Sequence, residues 1–335
     1  MSLRSTVGNR LDQQRPPGQA GRSDGPSSQR PAADGTDQRL LGIDFGGTKM
    51  AVGVADIDGR MLHSERVPTY AERGAEQALE RALDLAATLV ERAGGRLAAA
   101  GIASPGVIRD DGIDLAPNVP GWEHLRLADA VRGRLGVSLV SVANDLNAAA
   151  LAELRLGALR DADPGLVIGL GTGVAAAVTV RGEVVAGFRG AAGEIAYAVV
   201  GSGWPEPSEP VGPETMLETA FAGRALDQLA ERLGIAGGAA GLCAAAEQPG
   251  AAREALLARL DELARHLATC HLLLDPQRVV LVGGVAGSDL IRTLLTERLR
   301  QVLPHPPELV LSAFADDAAL LGAITLARES VPAGR

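Results

Sequence analysis

The residues best suited to chemistry fall in four short clusters. The first is DFGGTK, residues 44–49, at a bend between two apolar runs. Paired glycines, Gly46 and Gly47, let a backbone turn approach a ligand closely and aim its amides at phosphate oxygens, with the Thr48 hydroxyl and the Lys49 ammonium alongside. Asp44 ends a buried run and could hold Mg²⁺ through water, because hard cations take carboxylate oxygens and keep several waters. Of the 32 basic residues 31 are arginine, and the single lysine is Lys49. A compact point charge thus stands in the one loop where it would be useful beside phosphates.

The second cluster, LGTGVA at 170–175, again sets Gly171, Thr172 and Gly173 between two strands. In the third, residues 282–291, a buried strand meets Gly283 and Gly284 and then a helix start, where bare backbone can accept a nucleotide base and ribose. The fourth is Asn144-Asp145, after an apolar strand and opening a helix. A carboxylate there can take a proton from a substrate hydroxyl while the neighbouring amide orders that substrate. Each cluster alone also fits a plainer role: a tight hairpin, a strand-to-helix loop, a helix cap. Together, two glycine loops, a lysine and a strand-end aspartate suggest phosphoryl transfer to an alcohol, with Asp145 as the base.

The elements that must position these clusters are legible from periodicity. Strands are expected at 40–45, 49–56 and 60–67, the last two joined by the Asp58-Gly59 turn, followed by a helix at 71–93 that stops at Gly94-Gly95. A strand at 97–103, a helix at 124–135, a strand at 138–143 and a helix at 144–157 come next. A second unit repeats the style of the first, with strands near 165–170, 174–180 and 183–187, which suggests two related halves facing one cleft. Long helical patterns at 214–233 and 251–274 precede a strand at 279–282, a helix near 287–302, a strand at 308–312 and a last helix from about 316 to 328. Residues 1–38, rich in Gly, Pro, Ser, Gln, Arg and Asp, bury too little to offset the entropy of ordering and are expected to be a disordered tail.

Composition removes several classes. With 335 residues, the chain is long enough for about two domains. Only 8 residues are aromatic, so stacking platforms for nucleic-acid bases are not expected. The formal charge is −9, and the first forty residues carry six Arg against four Asp, which leaves −11 on the rest and argues against a nucleic-acid partner. Cys243 and Cys270 are too few for a disulfide framework, and no run resembles a signal peptide or membrane span, so a soluble cytoplasmic protein is expected.

In this order the motifs resemble the ROK family of repressors, open reading frames and sugar kinases, a branch of the actin-like ATPases and hexokinases. The resemblance runs from about Leu40 to the last helix through DFGGTK, SPG at 104–106, APNVPGW at 116–122, VANDLNAAALAE at 142–153, GLGTGVAAAV at 169–178, RGAAGEI at 189–195, LVGGV at 281–285 and ALLGA at 319–323. It implies an α/β, two-domain actin-like ATPase (ribonuclease H-like) fold with a cleft between the domains. The expected division is 39–146, joined by the C-terminal helix 316–330, and 147–315. The activity implied is ATP- and Mg²⁺-dependent phosphorylation of a hexose on its 6-hydroxyl by a homodimer. Carried over by position, Asp145 is the base, Asn144, Glu194 and Glu218 are sugar ligands, and Gly106 and Asn118 line the sugar pocket.

Two departures matter. Where the family's sugar kinases commonly read GEIGH, with the histidine touching sugar and binding zinc, this chain has Gly193-Glu194-Ile195-Ala196-Tyr197, and no Cys or His follows before Glu218. The structural zinc is therefore expected to be absent, and Tyr197 takes the place beside the sugar. The 38 residues before the body cannot make a helix-turn-helix, which disfavours DNA binding. The acceptor stays open between glucose and an amino sugar such as kanosamine or glucosamine. Polyphosphate is the alternative donor, less suited to an acidic body, and a non-catalytic sugar-sensing regulator is the alternative class.

Overall fold

The computed structural model describes residues 37–109, 112–116, 119–201 and 215–332. Its first sheet contains β1 (Gln38–Phe45), β2 (Lys49–Asp56), β3 (Met61–Pro68), β4 (Arg96–Ser104) and β7 (Leu139–Asn144), in the order β3-β2-β1-β4-β7. The hairpins β1-β2 and β2-β3 are antiparallel, while β4 and β7 run parallel to β1. A small hairpin of β5 (Val107–Arg109) and β6 (Gly112–Asp114) follows β4. The second sheet has the same plan: β8 (Gly165–Leu170), β9 (Val174–Val180), β10 (Glu183–Val185), β11 (Arg278–Val282) and β12 (Glu308–Leu311), ordered β10-β9-β8-β11-β12. The two related halves expected from the repeated style of the sequence are thus present as two sheets of one topology.

Helices cover both sheets because their apolar positions recur at helical spacing. In α1 (Ala75–Ala93), Ala75, Ala78, Leu79, Ala82, Leu83, Ala86 and Leu89 form one buried face that packs on Leu41, Ile43, Phe45 and Val52. α2 (Leu127–Leu135) adds Leu127 and Val131 to the same core. The second sheet is covered on one face by α4 (Leu217–Phe221), α5 (Gly223–Arg232), α6 (Gly238–Ala245), α7 (Ala251–Leu274) and α8 (Asp289–Val302), through Phe221, Leu226, Leu242, Leu260, Leu263 and Ile291. Its other face meets α3 (Asp145–Leu156), where Leu146 and Ala150 pack with Val167, Ala177 and Val280.

Between the sheets lie α3 and α9 (Ala318–Ser330), and small residues let them approach. A Cβ on Gly101 of β4 would overlap the Ala323 carbonyl, and one on Gly322 of α9 would overlap the Ala148 carbonyl of α3. Two glycines thus set the distance at which the catalytic-looking helix α3 stands from the first sheet. Two sheets of one strand order with a helix pair between them form the actin-like ATPase, ribonuclease H-like architecture.

The expected elements differ from the observed ones at a few places. The tail reading of 1–38 lies outside the described residues apart from Asp37 and Gln38, and Gln38 already begins β1. The pattern at 214–233 is two helices, broken at extended Ala222, because the backbone there turns the first amides of α5 toward the 171–173 loop: Gly223 N–H donates to the Gly171 carbonyl at 2.8 Å. Residue 214 itself lies outside the described residues. The helix expected from 124 begins at Leu127 after a 3-10 turn, Trp122–His124, and α6 and the β5-β6 hairpin were hidden by short, glycine-containing segments. Among the described residues no helix is long and apolar enough to cross a membrane.

Candidate active site

Asp44 is the penultimate residue of β1, paired with Ala51 of β2 and Ala103 of β4. The turn after it is braced from the end of β3: Gly46 N–H donates to the Lys49 carbonyl at 3.1 Å, Thr69 Oγ1 donates to the Gly46 carbonyl at 2.6 Å, and Thr69 N–H donates to the Thr48 carbonyl at 2.9 Å. Gly47, Thr48 and Lys49 are exposed. Lys49 Nζ donates to Asp316 Oδ2 at 2.6 Å, which holds the Asp316 carboxyl below the usual carboxylate range, and Arg66 of β3 pairs with Asp317. The connector between β12 and α9 therefore reaches the first turn.

Asn144 ends β7 and caps α3, accepting from Leu146 N–H at 3.0 Å and Asn147 N–H at 3.2 Å, while its Nδ2 donates to the Gly106 carbonyl at 3.1 Å. Gly106, with φ of 86°, belongs to the SPG turn, which is further ordered by Trp122 donating from Nε1 to Ser104 Oγ at 2.9 Å. Asp145 opens α3. Burial pushes its carboxyl up to about 6, opposed by hydrogen bonds from the Leu146 amide and Asn144. Asp44 is pushed to about 7, first by burial and then by the charge of Asp145, with Arg66 and Lys49 acting in the opposite direction. Glu194, at the start of a 3-10 turn, Ile195–Tyr197, is raised by burial and by Asp145 and Glu218. The Tyr197 phenol is raised by burial, Glu194 and Glu218. The charges of Asp145, Glu194 and Glu218 thus act on Asp44, Glu194 and Tyr197, which sets these five side chains in one electrostatic neighbourhood.

Glu218 also joins this neighbourhood to the second glycine loop. Its Oε2 accepts from Val174 N–H at 3.2 Å. Beside it lies a cavity of about 260 Å³ lined by Thr172, Gly173, Glu218, Ala222, Arg224 and Gln228. Gly283, at φ of 102°, brings the end of β11 against β8, where a Cβ would stand 2.5 Å from the Leu170 carbonyl; Gly284 opens the next turn, Val285–Gly287. The structure thus gathers Gly171, Thr172, Gly173, Gly283 and Gly284 at the ends of two adjacent strands. Asn118 lies outside the described residues.

Magnesium would suit Asp44. The half-buried Asp44 carboxyl and that of Asp145 are both held above their ordinary range, and the charge of Asp145 acts on Asp44, a burden that a partly hydrated divalent cation would relieve. No group of three or more His, Cys, Asp or Glu that could hold a metal occurs among the described residues, and Cys243 and Cys270 lie on α6 and α7. Residues that sequence reading missed are Thr69, Arg66, Asp316, Asp317, Arg224 and Gln228. Only the acidic pair just before ALLGA offered a signal, as a partner for the lone lysine.

Residues 40–330 match the ROK family model. The chain belongs to the ROK family. This ROK protein is 31% identical over 322 residues to a glucokinase of Thermotoga maritima, covering 88% of this chain and 98% of that one. It is 30% identical to an N-acetylmannosamine kinase of Shigella boydii, over 86% of this chain and 98% of the relative. Its fold matches that of a ROK family glucokinase from Streptomyces griseus solved with glucose and AMPPNP, with a TM-score of 0.70, 29% identity, and coverage of 87% of this chain and 99% of that structure.

Proposed function

We propose that this ROK protein transfers the γ-phosphoryl group of ATP to the 6-hydroxyl of a hexose or aminohexose. The observation that carries this reading is Asp145: a half-buried carboxyl pushed up to about 6 at the head of α3, whose charge acts on Asp44 and Glu194, with Glu218 bonded to Val174 at the end of the second glycine loop. At neutral pH Asp145 is mostly ionised, so it can accept the proton of the 6-hydroxyl as that oxygen bonds to phosphorus and ADP departs. Asn144, fixed by Gly106 and by the α3 amides, keeps the base in place. Glu194, Glu218 and Tyr197 accept or donate hydrogen bonds to ring hydroxyls or an amine. The family resemblance assigns Gly106 to the same pocket, together with Asn118, which lies outside the described residues.

On the donor side, Gly46, Gly47 and Thr48 offer exposed turn backbone, and Lys49, while one of its N–H groups stays on Asp316, offers the remaining two to the phosphates. Thr172, Arg224 and Gln228 face the cavity in which nucleotide would lie. Asp44 would hold Mg²⁺ through water, and the ion would neutralise charge on the phosphates. The glucokinase and N-acetylmannosamine kinase relatives, and the AMPPNP bound in the Streptomyces griseus structure, support a sugar acceptor and ATP as donor.

The test is sugar-phosphate formation measured with ATP or with polyphosphate as donor on a panel of glucose, N-acetylhexosamines and aminohexoses, ranked by kcat/KM. Transfer to at least one sugar from ATP is expected. Sugar binding without transfer from either donor would make the protein a sensor.

A further inference from the structure

We propose that Glu153 is a positioning residue that sets the place of Lys49 and Arg66 relative to Asp145, an inference that rests on the kinase reading above. Glu153 is fully buried on α3, eight residues beyond Asp145 and so about 12 Å along the same rigid helix. Its Oε1 accepts from Ser312 Oγ at 2.6 Å and from Ala313 N–H at 3.0 Å, and its Oε2 accepts from Ala158 N–H at 2.7 Å. Ser312 Oγ itself accepts from Phe314 N–H at 3.1 Å, so the serine proton is committed to Glu153. Three donors therefore converge on one carboxylate, and among the described residues no ion pair is made to it. A buried carboxylate is an expensive filler of space, whereas three directed bonds fix geometry.

What they fix is the connector after β12. Ser312 N–H donates to the Leu281 carbonyl at 2.8 Å, and a few residues on, Asp316 holds Lys49 at 2.6 Å while Asp317 holds Arg66. One end of α3 thus carries the base, and the other end grips the segment whose two aspartates hold Lys49 at the first turn and Arg66 on β3. Gly157 belongs to the same grip, because a Cβ there would overlap Glu153 Oε2. Fastening the connector to α3 makes the distance between base and cations a property of one element rather than of a free loop. An error in that distance would lower transfer, since misplacement by an ångström can reduce rates by about a hundredfold.

Glu153→Gln and Ser312→Ala test this in the full-length protein. In Glu153→Gln an NH₂ must face either the Ser312-Ala313 donors, which displaces the connector, or the Ala158 amide, which displaces the end of α3 that grips it, so the grip is disturbed in both orientations. We expect kcat to fall roughly tenfold, with the KM for ATP raised and the KM for sugar within about twofold of the parent. Ser312→Ala is expected to shift the same quantities by about threefold, and the pair to be non-additive because both act through one bond. Affinity for a non-hydrolysable ATP analogue, measured by calorimetry, is expected to fall in both variants. A variant that melts lower but keeps the parent kcat and analogue affinity would overturn the proposal, since stability alone would then be affected. If Glu153→Gln does not fold, parent kcat and affinity in Ser312→Ala overturn it equally. If the parent binds the analogue but phosphorylates no sugar, the kinase reading fails, and unchanged or weakened analogue affinity still decides the role of Glu153.

Discussion

The two sheets share a strand order, yet the turns at their first hairpins carry different chemistry. In the first, the pair Phe45-Met50 closes a four-residue turn; in the second, Leu170-Val174 closes a three-residue one. The residue before the first closing position is Asp44 in one half and Gly169 in the other, and the residue before the second is Lys49 in one and Gly173 in the other. One half thus presents an acid and a cation, while the other presents backbone. Their braces differ accordingly. Thr69, directly after β3, fixes the charged turn, whereas the first amide of α5 fixes the neutral one and leaves a cavity beside it. On the proposed reading the duplicated framework divides the work: charge and proton handling on the side of β1 and α3, a cavity for nucleotide on the side of β8 and α5.

Asp145→Asn breaks the charged side most directly. The amide keeps the shape at the head of α3 but cannot take a proton, so kcat should fall by about a hundredfold to ten-thousandfold with sugar and nucleotide affinity almost unchanged. Steady-state kinetics beside calorimetric binding checks this, and more than half the parent rate would remove Asp145 as base. On the neutral side, Thr172→Val deletes one hydroxyl from the wall of the cavity. It should raise the KM for ATP about tenfold, the equivalent of one hydrogen bond to a charged phosphate, and leave the sugar KM alone. An effect on sugar instead would invert the division of work.

This division was legible in the sequence only in part. The strands of the two five-stranded sheets and α1, α3, α7 and α9 could be read because their apolar residues recur at a single period, and the glycine clusters marked both turns. Arg224 and Gln228 could not be read, because they reach the cavity only through the break at Ala222, and a helical period running across that break hides it. The partnership of Lys49 with Asp316 joins residues 267 positions apart, and local pattern carries no information about such a pair. Tyr197 was visible as a departure from the family motif, and its electrostatic link to Glu194 and Glu218 came from the fold.

Lys49→Arg sharpens the charged side further. A guanidinium is larger and planar, so it should hold Asp316 and Asp317 more firmly and meet phosphates less well, lowering kcat/KM for ATP about fivefold. Unchanged kinetics would place Lys49 outside the site. Asp44→Asn tests the strain between carboxylates through stability. The folded-state value of Asp44, about 7, lies above its ordinary 3.8, so the native state binds this proton more tightly than the unfolded chain. The resulting stability is complete below about pH 4 and is lost as pH rises through 7. Asn removes that loss, so the variant should melt a few degrees higher than the parent at pH 8, for on the order of 1 to 2 kcal/mol, with no gain at pH 4. A lower Tm at pH 8 would show that Asp44 is stabilised by its surroundings.

Tyr197→Phe should have the smallest effect, because the side chain stands between the two regimes. It belongs to the 3-10 turn that follows Glu194, and its phenol responds to Glu194 and Glu218, so its hydroxyl lies close enough to feel the acid cluster. At the same time the residue is 38% exposed, and water can replace much of what the hydroxyl provides. The loss should therefore lie at the weak end of the hydrogen-bond range, about threefold in kcat/KM for the best sugar. Sugars that lack the group contacted by the phenol should lose less, so the ranking across the panel should narrow while kcat/KM for ATP stays constant. Equal losses for every sugar would mean that Tyr197 supports Glu194 without reading the acceptor. A change confined to ATP would move it to the nucleotide side of the molecule, against its electrostatic coupling to Glu194.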